Sequence, residues 1–122
     1  MSDSKTTVAE LRQVVADFVE RRDWSQFHSP KNLAMSMAIE AAELMEHFQW
    51  ITAEESRRVT DRPDKLAEVA DELADVLSYA LALANRLKID VSDAVVAKML
   101  KNEQKYPAEE YRGRYGPDDQ RQ

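Results

Sequence analysis

Residues 29–50, SPKNLAMSMAIEAAELMEHFQW, decide how this chain folds. Ser29 is a strong N-cap, and Pro30 suits the first helical position because its missing N–H would be unpaired there anyway. No glycine or further proline interrupts the stretch, so one long helix is expected to about Trp50. Alanine, methionine and leucine cover most of its circumference, and a helix that is apolar nearly all round is usually buried. Two carboxylates break the pattern. At ~100° of rotation per residue, Ser36, Glu40, Glu43 and His47 share one narrow stripe. Leu33, Met37, Leu44 and Phe48 flank it on one side, Ile39 and Trp50 on the other. Carboxylates in such surroundings need a partner or a metal.

Working outward, the rest of the chain reads as helical too. The first 112 residues contain no glycine, and prolines 30, 63, 107 and 117 punctuate the pattern without interrupting it. Glycine-rich phosphate loops and tight hairpins are therefore not expected. Thr7 and Glu10 make a capping box that opens a first helix, with Val8, Leu11, Val14, Val15, Phe18 and Val19 at helical spacing. Thr52 and Glu55 make a second box, opening a short polar helix that ends before Asp61-Arg62-Pro63. A third long helix occupies about 64–87, its broad apolar face running from Leu66 to Leu87. Beside that face lie Glu68, Glu72, Asp75 and Tyr79. A fourth helix of about 15 residues follows Lys88-Ile89-Asp90 and stops at Tyr106-Pro107. Residues 108–122 lack hydrophobic periodicity and are expected to form a mobile tail, leaving one domain over 1–107.

Two motifs carry chemistry: Glu40-Ala41-Ala42-Glu43 and Glu72-Leu73-Ala74-Asp75. In each, residues i and i+3 face the same way on a helix. The connection between the two helices reverses direction, so antiparallel packing would bring four carboxylates together. At ~5 Å, each like-charge pair costs ~3 kcal/mol with an effective dielectric near 20. Either some of them stay protonated or divalent cations neutralise them. An all-oxygen set suits Mg²⁺ or Mn²⁺ over zinc. A single E-x-x-E is commonly just a solvated face; two of them on adjacent helices favour a metal site. A ferritin-like di-iron site would need Glu-x-x-His on two helices, whereas His47 follows Glu43 by four residues and has no second copy.

Composition limits the alternatives. The 122 residues are 43% hydrophobic and 33% charged, with a net charge of −6 that argues against duplex nucleic acid as a partner. No apolar run approaches the ~20 residues of a membrane span. The segment MSDSKTTVAE does not resemble a signal peptide, and no cysteine is present for disulfide, thiolate-zinc or thiol chemistry. The cytoplasm is the expected compartment. Trp24 and Trp50 fall at the mouth of the second helix hairpin. They serve either as packing residues or as a stacking slot for a planar base, with His28 and Tyr79 as polar handles. Lys98, Asn102 and Lys105 form either a solvated stripe or a set of donors to phosphate oxygens.

The pair EAAE…ELAD, with 28 residues between Glu43 and Glu72, resembles the E-x-x-E…E-x-x-D signature of MazG-like nucleotide pyrophosphohydrolases. RDWSQFHSPKNLAMSMAIEAAELMEHFQW is similar to the dCTP pyrophosphatase branch of that all-α superfamily, and DELADVLSYALALANRLKIDVSDAVVAKMLKNEQKYP continues the similarity. It covers roughly residues 11–107. The resemblance implies an all-α, four-helix MazG-like bundle with a short extra helix between the second and third helices. It implies hydrolysis of a nucleoside triphosphate to a monophosphate and pyrophosphate, with dCTP or modified dCTP preferred. Glu40, Glu43, Glu72 and Asp75 would be catalytic Mg²⁺ ligands, and Trp24, His28, Trp50 and Tyr79 would contact the nucleoside. Lys98 and Asn102 match a family pattern near the phosphates. The family also implies a homo-oligomer, a dimer or a tetramer. Val15 departs from the pattern, since mammalian members are expected to carry a polar, substrate-contacting residue there. A broader (d)NTP pyrophosphatase and a non-enzymatic helical oligomerisation module are the alternatives.

Overall fold

Thr7 accepts a hydrogen bond from the Glu10 N–H (3.1 Å) and donates its own N–H to the Glu10 carboxylate (3.4 Å). This closed capping box starts α1, Val8–Arg21. Ser29 Oγ accepts from the Asn32 N–H and starts α2, Pro30–Glu46. Asn32 also reaches back to the Phe27 carbonyl, fixing the preceding 3₁₀ turn, Ser25–Phe27, against the helix. Thr52 and Glu55 form the second capping box and open α3, Ala53–Arg57. A 3₁₀ turn at Val59–Asp61 leads into α4, Pro63–Leu87, with Pro63 in its first turn. Then follow α5, Val91–Lys105, capped by Asp90, and α6, Ala108–Tyr111. The structure, a computed structural model, describes residues 1–114. It is all-helical, with no strand among the described residues.

The chain divides into two compact units, Met1–Ile89 and a second beginning at Asp90. The division comes earlier than the expected domain end at 107. It follows a helix stop made without glycine: Lys88 adopts the left-handed conformation (φ 56°). Ile89 N–H then bonds to the Ala84 carbonyl and Lys88 N–H to that of Asn85, the Schellman pattern. Asp90 immediately caps the next helix. Where a mobile tail was expected from 108, α6 forms a further helical turn, with Tyr106 and Tyr111 edge to face at 5.2 Å. The remainder of that expected tail, 115–122, lies outside the described residues.

In the first unit α4 is the central element, packed against both α2 and α1. The end of α2 meets the beginning of α4, as His47 lies beside Glu68 and Glu72, so the two helices run antiparallel. Ala82 and Ala84 are buried on α4 and Leu33 on α2, with Val59 anchoring the connection. The expectation for α2 needs two corrections. Its α-helix ends at Glu46, because most of the following bonds tighten to i→i−3, His47 to Leu44, Phe48 to Met45 and Ile51 to Phe48, with Gln49 to Met45 alone among these keeping the i→i−4 spacing. Trp50 therefore stands outside the helix. Nor is α2 buried all round. Only Leu33 is fully covered, while Met35, Ile39 and Met45 are more than half exposed, since α4 shields one side only.

One polar clasp sets α1 against α4. Arg12 Nε donates to Asn85 Oδ1 (2.8 Å), Asn85 Nδ2 donates to the Arg12 carbonyl (3.1 Å), and Arg12 Nη1 donates to the Ile89 carbonyl (2.6 Å). Both side chains are partly buried, so truncating one strands the donors of the other. Replacement of Asn85 by Ala is expected to cost about 1–3 kcal/mol of stability. A lowered urea midpoint with unchanged slope would show it.

Candidate metal centre

The facing helices α2 and α4 bring Glu40, Glu43 and Glu72 together, with one carboxylate oxygen of each within 4.8 Å of the others. Glu40 and Glu72 are half-buried and Glu43 is exposed at the rim. Asp75, one turn beyond Glu72, is exposed and stands outside this tight trio, although its charge is felt by both Glu40 and Glu72. The packing is electrostatically costly. Burial is the largest effect raising the Glu40 pKa above the usual carboxylate range. The Glu43 carboxyl adds to it, followed by the charges of Asp75 and Glu72. Glu72 is raised likewise, first by burial, then by Glu43 and Asp75; His47 opposes the shift.

The donor set fits a hard divalent cation. Glu40 Oε2 and Glu72 Oε2 are buried with no hydrogen-bond partner among the described residues. Buried polar oxygens are normally paired, so two orphans on members of one carboxylate cluster mark a place for positive charge. All the ligands are oxygens, the preference of Mg²⁺ and Mn²⁺. His47 is the nearest basic group, with Nε2 3.8 Å from Glu72 Oε1 and Nδ1 3.8 Å from Glu68 Oε2. Those separations are too long for hydrogen bonds and leave the orphan oxygens unsatisfied.

The aromatic residues are distributed differently from the stacking slot expected at one mouth. Trp24 is about half exposed and packs edge to face on Phe18 at 5.7 Å, with Arg22 3.7 Å over the Phe18 ring. His28 lines a cleft of about 340 Å³ between α1 and the second half of α4, walled by Val15, Ala16, Val19 and Ala82. Trp50 is 87% exposed and lines another cleft, of about 520 Å³, with His47, Arg58, Arg62 and Lys65. His28 and Trp50 thus serve separate clefts of the same chain. Tyr79 is half-buried on α4 between Asp75 and Ala82. Lys98 and Asn102 lie four residues apart on α5, in the second unit. Sequence reasoning missed the grouping of Arg58, Arg62 and Lys65. Its signal was three cations at spacings of four and three across Asp61-Arg62-Pro63, a run read only as a helix stop.

Comparison with known proteins follows the same elements. Residues 35–115 match the model of the MazG-like family. A pyrophosphatase of known structure from Archaeoglobus fulgidus is 42% identical, with a TM-score of 0.76 over 88% of this chain and 98% of that one. The dCTP pyrophosphatase 1 of Bos taurus is 40% identical over 110 residues, 90% of this chain and 65% of the relative. That of Homo sapiens is 42% identical over 102 residues, 84% of this chain and 60% of the relative. The chain thus spans less than two thirds of the length of these curated relatives. The match runs through both carboxylate-bearing helices and nearly the whole of the archaeal protein, and on that basis the chain belongs to the MazG-like family.

Proposed function

We propose that this chain is a nucleoside triphosphate pyrophosphohydrolase that cleaves between the α and β phosphates and prefers dCTP or modified dCTP. The observation that carries the reading is the carboxylate trio with its two orphaned oxygens, next to His47 at the edge of the Trp50 cleft. The names of the mammalian and archaeal relatives supply the reaction class. Glu40, Glu43, Glu72 and Asp75 would hold the cation. Mg²⁺, or Mn²⁺ in its place, supplies Lewis-acid charge to the phosphate oxygens when bound. Glu43, the exposed member of the trio, orients a water and takes its proton as the oxygen adds to the α phosphorus. The bond from that phosphorus to the bridging oxygen breaks, releasing pyrophosphate and leaving the monophosphate. His28 and Tyr79 contact the nucleoside, with Trp24 as a flanking aromatic and Trp50 contacting the substrate from the separate cleft beside His47; Lys98 and Asn102 serve the phosphates.

A broader (d)NTP range is the second reading. The His28 cleft offers apolar contact from Val15, Ala16, Val19 and Ala82, with Glu20, Ser25, Asn85 and Arg86 as polar groups in the same lining. On either reading the chain works on the cytoplasmic nucleotide pool as a homo-oligomer, a dimer or a tetramer. The exposed Met35, Ile39 and Met45 of α2 and Val95, Val96, Met99 and Leu100 of α5 support self-association. The net charge of −6 gives duplex nucleic acid no attraction. No helix among the described residues is long and apolar enough to cross a membrane.

Pyrophosphate release measured across dCTP, 5-modified dCTP, dUTP and dATP tests the reading. Preference for the cytosine nucleotides supports the first form, and even rates support the second. The absence of release, with no thermal response to Mg²⁺ and nucleotide, would leave a helical oligomerisation module. Replacement of Glu43 by Gln is expected to lower kcat/KM by about 10²-fold or more while leaving the fold intact. Full Mg²⁺-dependent activity in that variant refutes the role given to Glu43.

The raised Glu40 and Glu72 pKa values carry a definite sign. The native state binds more protons than the unfolded one between the ordinary carboxylate pKa and the raised native values, so metal-free stability falls as pH rises through that window. Removing one charge should relieve this. Glu40→Gln is expected to raise the metal-free Tm at pH 7 by a few degrees, to flatten its pH dependence and to abolish the stabilisation by Mg²⁺. Scanning calorimetry with and without EDTA reads all three effects.

A further inference from the structure

Of the stripe Ser36, Glu40, Glu43 and His47 on α2, the proposed reaction uses the two carboxylates and leaves His47 without a part. The residue sits where α2 ends, its backbone N–H bonded to the Leu44 carbonyl at 3.2 Å, and its side chain is only 16% exposed. Both ring nitrogens face carboxylates of α4. Nδ1 is 3.8 Å from Glu68 Oε2 and Nε2 is 3.8 Å from Glu72 Oε1. Glu68 and Glu72 are four residues apart, so a single ring spans successive turns of that helix.

The two contacts differ in kind. Glu68 is 60% exposed, and its Oε2 also lies 3.5 Å from Lys65 Nζ, so it belongs to an open surface chain of charges. Contacts of that sort contribute little by themselves. Glu72 is 23% exposed, and its two oxygens have separate surroundings. Oε2 is buried without a hydrogen-bond partner, whereas Oε1 is the oxygen beside His47. Among the described residues no other basic group lies within 4.0 Å of Glu72. A carboxylate that ligates a cation is itself normally held by a hydrogen-bond donor, which fixes its orientation. The 3.8 Å separation exceeds the N–H···O limit by about 0.6 Å, a gap that a small side-chain rotation closes. Hydrogen bonds around a reacting centre are commonly long before the ligand arrives and tighten with it.

We infer that His47 is a positioning residue for the metal centre: its Nε2–H holds Glu72 Oε1 and so leaves Oε2 for the cation. Glu68 steadies the ring from the Nδ1 side. The inference rests on the cation reading of the carboxylate trio. It does not depend on the charge of the ring, since the neutral ring protonated at Nε2 and the imidazolium both donate from that atom.

Titration calorimetry of Mg²⁺ and of Mn²⁺ into the full chain, without nucleotide, is the test, with wild type set against His47→Leu, His47→Asn and His47→Gln. The longer amide of glutamine places an N–H near the position of Nε2, whereas that of asparagine reaches only the position of Nδ1. His47→Leu and His47→Asn are expected to bind the cation about tenfold more weakly, and His47→Gln within about threefold of wild type. In dCTP hydrolysis the Mg²⁺ concentration for half-maximal rate should rise about tenfold in His47→Leu, with the rate at saturating Mg²⁺ close to that of wild type. A purely structural role would instead affect His47→Gln and His47→Asn alike and would lower the saturated rate. Circular dichroism confirms that each variant is folded, and His47→Asn carries the test if His47→Leu is not. Wild-type cation affinity in the folded His47→Leu or His47→Asn variant overturns the inference, as does an equal loss in His47→Gln. If wild type binds Mg²⁺ and hydrolyses dCTP while those variants match it, the reaction assignment stands and only the role of His47 falls. A wild-type chain that neither binds Mg²⁺ or Mn²⁺ nor hydrolyses dCTP overturns both.

Discussion

Three carboxylate oxygens held within 4.8 Å by two packed helices are the constraint on which the rest of this structure depends. Apolar burial between α2 and α4 is the force that closes the hairpin, and it drives Glu40 and Glu72 out of water as it does so. Neither gains a donor for its inner oxygen. Folding therefore stores electrostatic repulsion in the metal-free protein, which the divalent cation of the proposed reaction would relieve. On the proposed reading, affinity for the cation would come from hydrophobic packing on one side of the helices and unsatisfied oxygens on the other. The same burial that raises the proton affinity of these groups makes them strong cation ligands once deprotonated.

Helix α4 acts as the common reference for everything around that cluster. It carries Glu72 and Asp75, contributes the wall of both clefts, and receives α1 through the Arg12–Asn85 clasp. The bonds in that clasp join residues 73 and 77 apart in sequence, so it sets the depth of the His28 cleft relative to the carboxylates. The His28 cleft mixes the apolar Val15 and Ala82 with Asn85 and Arg86, while Arg58, Arg62 and Lys65 gather at the other beside Glu46, Glu55 and Asp61.

Much of this was legible from residues 1–107, and the reasons are local. Thr7 with Glu10, Ser29 with Pro30 and Thr52 with Glu55 begin helices because each cap is completed by hydrogen bonds within four residues. Glu40 and Glu43 share a face, as do Glu72 and Asp75, because three residues make nearly one turn. The end of α2 was less legible. Its apolar spacing of three continues past Glu46 and is equally compatible with α-helical and 3₁₀ turns.

By itself the sequence determined the helices and their antiparallel carboxylate pair, since periodicity and capping act through neighbours along the chain, and its motifs carried the resemblance to an all-α family. Only the tertiary structure decided that Glu40, Glu43 and Glu72 converge more tightly than Asp75 and that His47 stands between Glu68 and Glu72. It alone placed His28 and Trp50 at separate clefts and gathered Arg58, Arg62 and Lys65 around one of them. The physical reason is that a helical pattern specifies which face a side chain occupies. It leaves open how closely two faces approach and where along the helix axis they meet, and those depend on the packing of Leu33, Ala82 and Ala84 and on the clasp between Arg12 and Asn85.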